Sequence, residues 1–339
     1  MNLQAIWKLF QETFKEWSED KASRLAAALA YYTIFSIAPL LIIVIAIAGA
    51  VFGEEAARGQ IVAQIQGLVG PDGAKFLETA IKNANQPKTG AIASIISVVV
   101  LLLGATGLFT ELQDSLNTIW KVKPKPGRAI SNIIRLRVLS FALVIGIGFL
   151  LLVSLVISTA LAALVTYFSN LLPGVDFLWP ILNFILSFAI TTFLFGLIFK
   201  VLPDVKIAWS DVLIGAILTS FLFSIGRFFL GQYLGNGSFG STYGAAASLV
   251  VILAWVNYAA QILFFGAEFT QVYARRYGSG IVPTENAVPL SDNTKYYNGT
   301  AAKGQLSTNK KPPSNLINRL LQSFKNPKRL KNRKKNQRF

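Results

Sequence analysis

The sequence predicts an all-α protein: a polytopic membrane bundle of about six transmembrane helices with both termini cytoplasmic. Three observations predict it. Of the 339 residues, 53% are hydrophobic and only 14% are charged, with a mean hydropathy of +0.52; the charged share is about half that of an ordinary soluble domain. Long runs free of charge recur at 25–53, 90–110, 138–170, 177–199, 212–226 (continuing past Arg227 to Leu234) and 245–267. Finally, the basic residues are distributed unevenly between the connections.

A hydrocarbon core of roughly 30 Å needs about 20 apolar residues in a helix, and each run reaches or nearly reaches that length. Helices are the reading because an isolated strand cannot satisfy its backbone in lipid, and no alternation of a barrel kind is present. The run 138–170 is too long for an upright span and is expected to tilt or protrude. With six spans, 27 Lys and Arg fall on the side of the N-terminal segment and the tail, and 4 on the other side. That bias orients the bundle and turns the net charge of +16 from a sign of nucleic acid into a sign of membrane orientation.

The flanking segments divide the chain further. Residues 1–24 form an amphipathic helix with Leu3, Ile6, Trp7, Phe10, Phe14 and Trp17 on one face, expected in the cytoplasmic interface. Ala46-Ile47-Ala48 imitates a signal-peptide cleavage site, but the long preceding segment with charges of both signs argues against one. Residues 25–277 form the transmembrane domain. Its external loop, 54–89, is predicted to hold two short helices, near Ile61–Val69 and Phe76–Ile81. Residues 278–339 read as a disordered, basic cytoplasmic tail. In it Lys325, Lys328, Arg329, Lys331, Arg333, Lys334 and Lys335 are expected to contact anionic lipid headgroups. RNA is the alternative partner, but the tail lacks interleaved aromatics and any nucleic-acid motif, so none is expected.

The chain has no His and no Cys, which excludes thiolate and imidazole chemistry. No cofactor or metal is expected. The polar residues placed within or beside the spans are the remaining pointers to function. Arg227 shares a helical face with Ser220 and Ser224, and Glu268 shares one with Asn257 and Gln261. Arg227 and Glu268 are candidates to pair inside the bundle, on a transport path or as interhelical glue. Thr110, Gln113 and Asn117 continue a stripe with Thr106 that would line a polar vestibule or pack a helix end against loops. Pro39 is expected to kink the first span. The glycine-rich stretch 235–244 matches no phosphate-binding fingerprint, and the Asn-x-Ser/Thr matches at Asn236 and Asn298 are weak.

Ala28-Leu29-Ala30-Tyr31-Tyr32-Thr33-Ile34-Phe35-Ser36-Ile37-Ala38-Pro39-Leu40 resembles the opening span of the YihY/virulence factor BrkB family. The resemblance continues through Glu111-Leu112-Gln113-Asp114-Ser115-Leu116-Asn117-Thr118-Ile119-Trp120, Leu202-Pro203-Asp204-Val205, Tyr243-Gly244-Ala245, Trp255 and Gly266-Ala267-Glu268, in the family's order. It implies a multi-pass protein of the bacterial inner membrane. Family members have often been labelled ribonuclease BN, a tRNA-processing enzyme. For metal-dependent hydrolysis this chain offers only the scattered Glu111, Asp114, Asp204 and Asp211, so the label is not inherited. Non-enzymatic transport or handling of a lipid or small solute is the expected function. A membrane scaffold or regulator acting through the basic tail is the alternative.

Overall fold

The computed structural model of the protein describes residues 3–84, 107–125, 178–235 and 247–290, with the single positions 138, 142 and 146. Most of the runs expected as the second and third spans lie outside the described residues. So do Asn236, Asn298 and the basic tail from 291 on, including Lys325, Lys328, Arg329, Lys331, Arg333, Lys334 and Lys335.

Seven helices are described: α1 (Leu3–Glu19), α2 (Ala22–Phe52), α3 (Glu54–Ala84), α4 (107–119), α5 (Leu178–Val201), α6 (Trp209–Gly235) and α7 (Ala247–Arg276). Three stretches are long and apolar enough to cross a membrane: Pro180–Val201, Trp209–Phe229 and Ser248–Arg276. The two parts of α2, Ala22–Ala38 and Leu40–Ala46, meet at 44° around Pro39 and together would make a fourth span. Proline removes one helical hydrogen bond and crowds the preceding turn, which accounts for a bend at this position. The protein is thus an all-α membrane protein, and its lipid-facing surface is apolar: Ile181, Ile185, Phe193, Leu213, Ile217, Phe221 and Phe229 are all exposed.

The segment expected as an external loop departs from its prediction. Helix α3 packs against α2, α6 and α7, burying Ala57, Ile61, Leu77 and Ile81. Two helical halves are present, separated at Gly70 (φ 76°, ψ 176°), and both are longer than the sequence suggests. The break falls where Pro71 follows, because a residue before proline is forced out of the helical region while proline itself suits a helix start.

Helix α7 is the hub, packed by α1, α2, α3 and α6. Its antiparallel crossing with α6 is close because glycines face threonines. A Cβ on Gly215 would lie 1.7 Å from Thr270 Oγ1, and one on Gly266 would lie 1.8 Å from Thr219 Oγ1. The hydroxyls donate back into their own helices, Thr219 to the Gly215 carbonyl (2.7 Å) and Thr270 to the Gly266 carbonyl (2.6 Å). Both hydroxyls are thereby satisfied at the contact, and the two backbones approach as small-residue membrane crossings do.

Four connections meet at one end of the bundle. They are the α1–α2 corner, the segment after α4, the α5–α6 loop and the segment after α7. Strand β1 (Val122–Pro124) pairs antiparallel with β4 (Ala287–Pro289), and β2 (Val205–Lys206) pairs with β3 (Val282–Pro283). The segment 277–290 is therefore an ordered strap across two loops, and order extends to Leu290, well beyond the boundary that the sequence places at Gly278. Composition does not reveal the strap, because each strand is very short and gains stability only from its distant partner.

Candidate functional site

The strapped end is also where polar and charged side chains gather. Three networks hold it. In the first, Asp204 of the α5–α6 loop is buried and clasped by α4. Asn117 Nδ2 donates to its Oδ2 (3.1 Å), Gln113 Nε2 donates to the same oxygen (3.3 Å) and to the Leu202 carbonyl (3.1 Å), and the Asp204 N–H donates to Asn117 Oδ1 (2.8 Å). Two segments 87 residues apart are thereby fixed to each other, and Thr284 N–H adds a bond to the Asp204 carbonyl (2.9 Å). Thr110 is half-buried on the same stripe of α4.

The second network is a helix start. Asp211 lies in the first turn of α6, where the exposed N–H groups favour a carboxylate, and it is buried. It accepts from the Ser279 N–H (2.8 Å), the Ser279 hydroxyl (2.9 Å) and Ser210 (3.2 Å), tying the strap to α6.

The third network joins α1, the α1–α2 corner, Lys121 and α7. On α1 the inward face carries Leu9, Thr13 and Glu16, while Leu3, Ile6, Trp7 and Phe14 of the predicted apolar face are exposed. Phe10 turns inward far enough to reach the ring of Phe269, with centroids 5.4 Å apart. Arg275 of α7 is bonded to Glu16 (3.2 Å) and to Glu12, and Arg276 also pairs with Glu12. Lys121, in the left-handed backbone region at φ 57°, pairs with Asp20 and with Glu16 (3.4 Å). Beside them Glu268 is fully buried, facing Asp20, Lys121 and Glu16.

Among the described residues this network holds one carboxyl more than it holds cations. Glu12, Glu16, Asp20 and Glu268 stand against Lys121, Arg275 and Arg276. Among the described residues no N–H or O–H donor reaches either oxygen of Glu268, and the Asp20 carboxyl that approaches it offers a donor only if a proton lies between the two. Burial pushes the Asp20 carboxyl above its usual range, and its bond to Lys121 and that residue's charge offset the rise only in part. Burial alone would lower the Lys121 ammonium, but its bond to Asp20 and the surrounding carboxylates hold it above its ordinary value. One helical turn on from Glu268, Gln271 is also fully buried, and its side-chain amide has no hydrogen-bond partner among the described residues.

The expected pairing of Arg227 with Glu268 is not formed. Gly226 abuts Tyr258 across the α6–α7 crossing, which sets Arg227 level with Tyr258. Glu268 lies almost three helical turns further along α7, about 15 Å away along the axis. Arg227 is instead exposed in a groove of about 450 Å³ between α5 and α6, remote from the strapped end. Asn257 and Gln261 are half-buried on α7 and bond to each other (2.9 Å). Glu12, Glu16, Asp20 and Lys121 are not among the residues that the sequence singles out. Their signal was available in the carboxylates at 12, 16 and 20, one per helical turn beside an apolar run.

Glu111 and Asp114 lie on α4 beside Asp204. Burial raises the carboxyl of each above its usual range, and a neighbouring charge adds to it, Asp114 for Glu111 and Asp204 for Asp114. Among the described residues no group of three or more carboxylates converges as a metal ion would require.

Comparison with known proteins covers the same part of the chain. The virulence factor BrkB family matches residues 13–290, which reaches from α1 to the end of the strap. A UPF0761 membrane protein of Mannheimia succiniciproducens is 25% identical over 78% of this chain and 88% of its own length. Another, of Haemophilus influenzae, is 26% identical over 75% of this chain and 91% of its own. A third, of Teredinibacter turnerae, is 26% identical over 78% of this chain but only 60% of its own length, so this chain spans less than two thirds of that longer relative. No solved structure matches. The residues of the Asp204 clasp, and Glu268 itself, fall in segments that carry the resemblance, and the chain belongs to the virulence factor BrkB family of membrane proteins.

Proposed function

We propose that this protein moves or handles a lipid or small solute across a bacterial inner membrane and is not an enzyme. The carrying observation is Glu268: a carboxyl fully buried towards the end of the central helix, with no N–H or O–H donor among the described residues and with more carboxyls than cations described around it. Keeping such a group in a purely structural role costs several kcal/mol, whereas a group that binds and releases a cation or proton during a transport cycle needs this imbalance. The carboxylates that a nuclease would use support the same reading. Asp204 is committed to Asn117 and Gln113, and Asp211 to Ser279 and Ser210.

The topology that accompanies this reading has six spans with α1 and the strap in the cytoplasm. The gathering of four connections at one end supports it, since α2 and α6 run away from that end and α5 and α7 run towards it, as alternating spans must. The basic tail lies against anionic headgroups in this arrangement.

Flux of fluorescent phospholipids and of small solutes, measured with the purified protein in vesicles, tests the proposal. Transport of one class is expected, lost on Glu268→Gln. Flux that is absent for every class, or unchanged in that variant, would overturn it. Cleavage of tRNA precursors with Mg²⁺ or Mn²⁺ would overturn the non-enzymatic part. The chain has no cysteine of its own, so Ser241→Cys and Ser314→Cys can be labelled without background. Labelling of the first from outside and protection of the second are expected; the reverse would invert the topology.

A further inference from the structure

The α5–α6 hairpin has few polar residues, yet five of them line a single groove: Asn183, Ser187 and Thr191 of α5, and Ser224 and Arg227 of α6. The α5 members recur every fourth residue and so form one stripe. Asn183, counted back from the end of α5 at Val201, and Arg227, counted forward from the start of α6 at Trp209, stand equally far from the strapped end. That distance is about 27 Å for each, which brings both near the opposite face of a core of roughly 30 Å. Phe184, Phe188, Phe223 and Phe228 wall the same groove.

The chemistry of the polar atoms narrows the ligand. Thr191 donates to the Ser187 carbonyl (2.7 Å) and Ser224 to the Ser220 carbonyl (2.8 Å), so each offers the groove only lone pairs. The Arg227 guanidinium forms no ion pair or hydrogen bond among the described residues, and no carboxylate lines the groove. An exposed guanidinium with no partner among the described residues, at the level of the headgroups, is placed to meet an anion. Its planar fork suits two oxygens of one phosphate, with the Asn183 amide close enough in level to add a donor. Beside it the aromatic walls offer acyl chains an apolar surface.

We propose that this groove is a binding site for an anionic phospholipid of the leaflet opposite the strapped end, with its phosphodiester on Arg227 and Asn183 and an acyl chain along the phenylalanines. The site deepens the transport reading by naming the lipid class, but binding does not require transport. Lipid retained without flux would leave the site standing and end the transport proposal.

Native mass spectrometry of the full chain in detergent, titrated with phosphatidylglycerol or phosphatidylcholine, tests it. One phosphatidylglycerol per chain is expected to be held more tightly than phosphatidylcholine. Arg227→Ala should weaken that binding about tenfold, Asn183→Ala should do so less, and Arg227→Lys should fall between wild type and Arg227→Ala, because an ammonium keeps the charge but not the fork. Thermal melting checks that each variant is folded; should Arg227→Ala not fold, Arg227→Lys and Asn183→Ala carry the test. Equal binding of the two lipids, or unchanged affinity in the folded variants, overturns the site. Displacement of the lipid by inorganic phosphate alone would point to a free-phosphate site and also overturn it.

Discussion

The two ends of the α5–α6 hairpin are built on opposite principles. At the strapped end carboxylates are bound to groups from distant parts of the sequence, with Asp204 held from α4 and Asp211 from the strap. At the other end the side chains are apolar and outward, and Arg227 has no protein partner among the described residues. Hydrogen bonds between distant segments fix one end of the bundle as a unit. Dispersion and lipid contact, which have little directional preference, leave the other end free to adapt. A bundle anchored in this way can move at its far end without losing its fold.

Substitutions can break or sharpen that contrast, and the largest effect is expected at the ion pairs of α1. Arg275→Ala removes the cation that Glu12 and Glu16 share and leaves Glu12 to Arg276 and the buried Glu16 to Lys121, a loss of about 3 kcal/mol. In that background a Thr13→Cys probe, buried in the intact protein, should become reactive; a probe that stays protected would mean that α1 is held by apolar contact alone. Asp204→Ala comes next at about 2–3 kcal/mol, because it strands the amides of Asn117 and Gln113, and a lower melting temperature in detergent checks it. Gly266→Ala should lose about 1–3 kcal/mol by driving a methyl against Thr219, read from the same melt. On the lipid face, by contrast, Ile217→Ala should change stability by less than about 0.5 kcal/mol. A large effect there would place a packed neighbour where the contrast between the two ends places lipid.

The smallest effect depends on pH. Asp114 has its carboxyl raised by burial and then by the charge of Asp204, so folding favours its protonated form. Its contribution is therefore fully present below the ordinary aspartate range and is lost as pH rises through the raised value. Asp114→Asn should stabilise the protein slightly at neutral pH, by under about 0.5 kcal/mol because the side chain is only partly buried and is screened by solvent, and should do nothing in acid. A stabilisation that persists in acid would show that charge is not its cause.

Much of this architecture is legible in the sequence. Apolar runs give α5, α6 and α7 directly, since a stretch of the right length without charge has one stable solution in lipid. The stripe of Gln113 and Asn117 is visible as spacing, but its partner is not, because Asp204 is 87 residues away from Asn117 and only tertiary folding brings it near. Arg227 and Glu268 match by opposite charge, yet the antiparallel register of α6 and α7 puts Tyr258 where that match needs Glu268. Register between helices is set by small residues such as Gly215 and Gly266, and a sequence shows those residues without showing which threonine each one meets.

The strap also sets an order of events during synthesis. Strands β1 and β2 emerge long before their partners, and nearly half of the chain separates Val122 from Pro289. At roughly 5–20 residues per second, the loop at Val122 waits about 8–33 s with its edge open. The clasp of Asn117 on Asp204 can form within that interval, so the cell meets a half-closed bundle whose last seal is made only when the final helix is already in place. A chain interrupted before the strap would insert its helices and still present two unpaired strand edges beside the membrane, a mark by which quality control could tell an unfinished copy from a finished one.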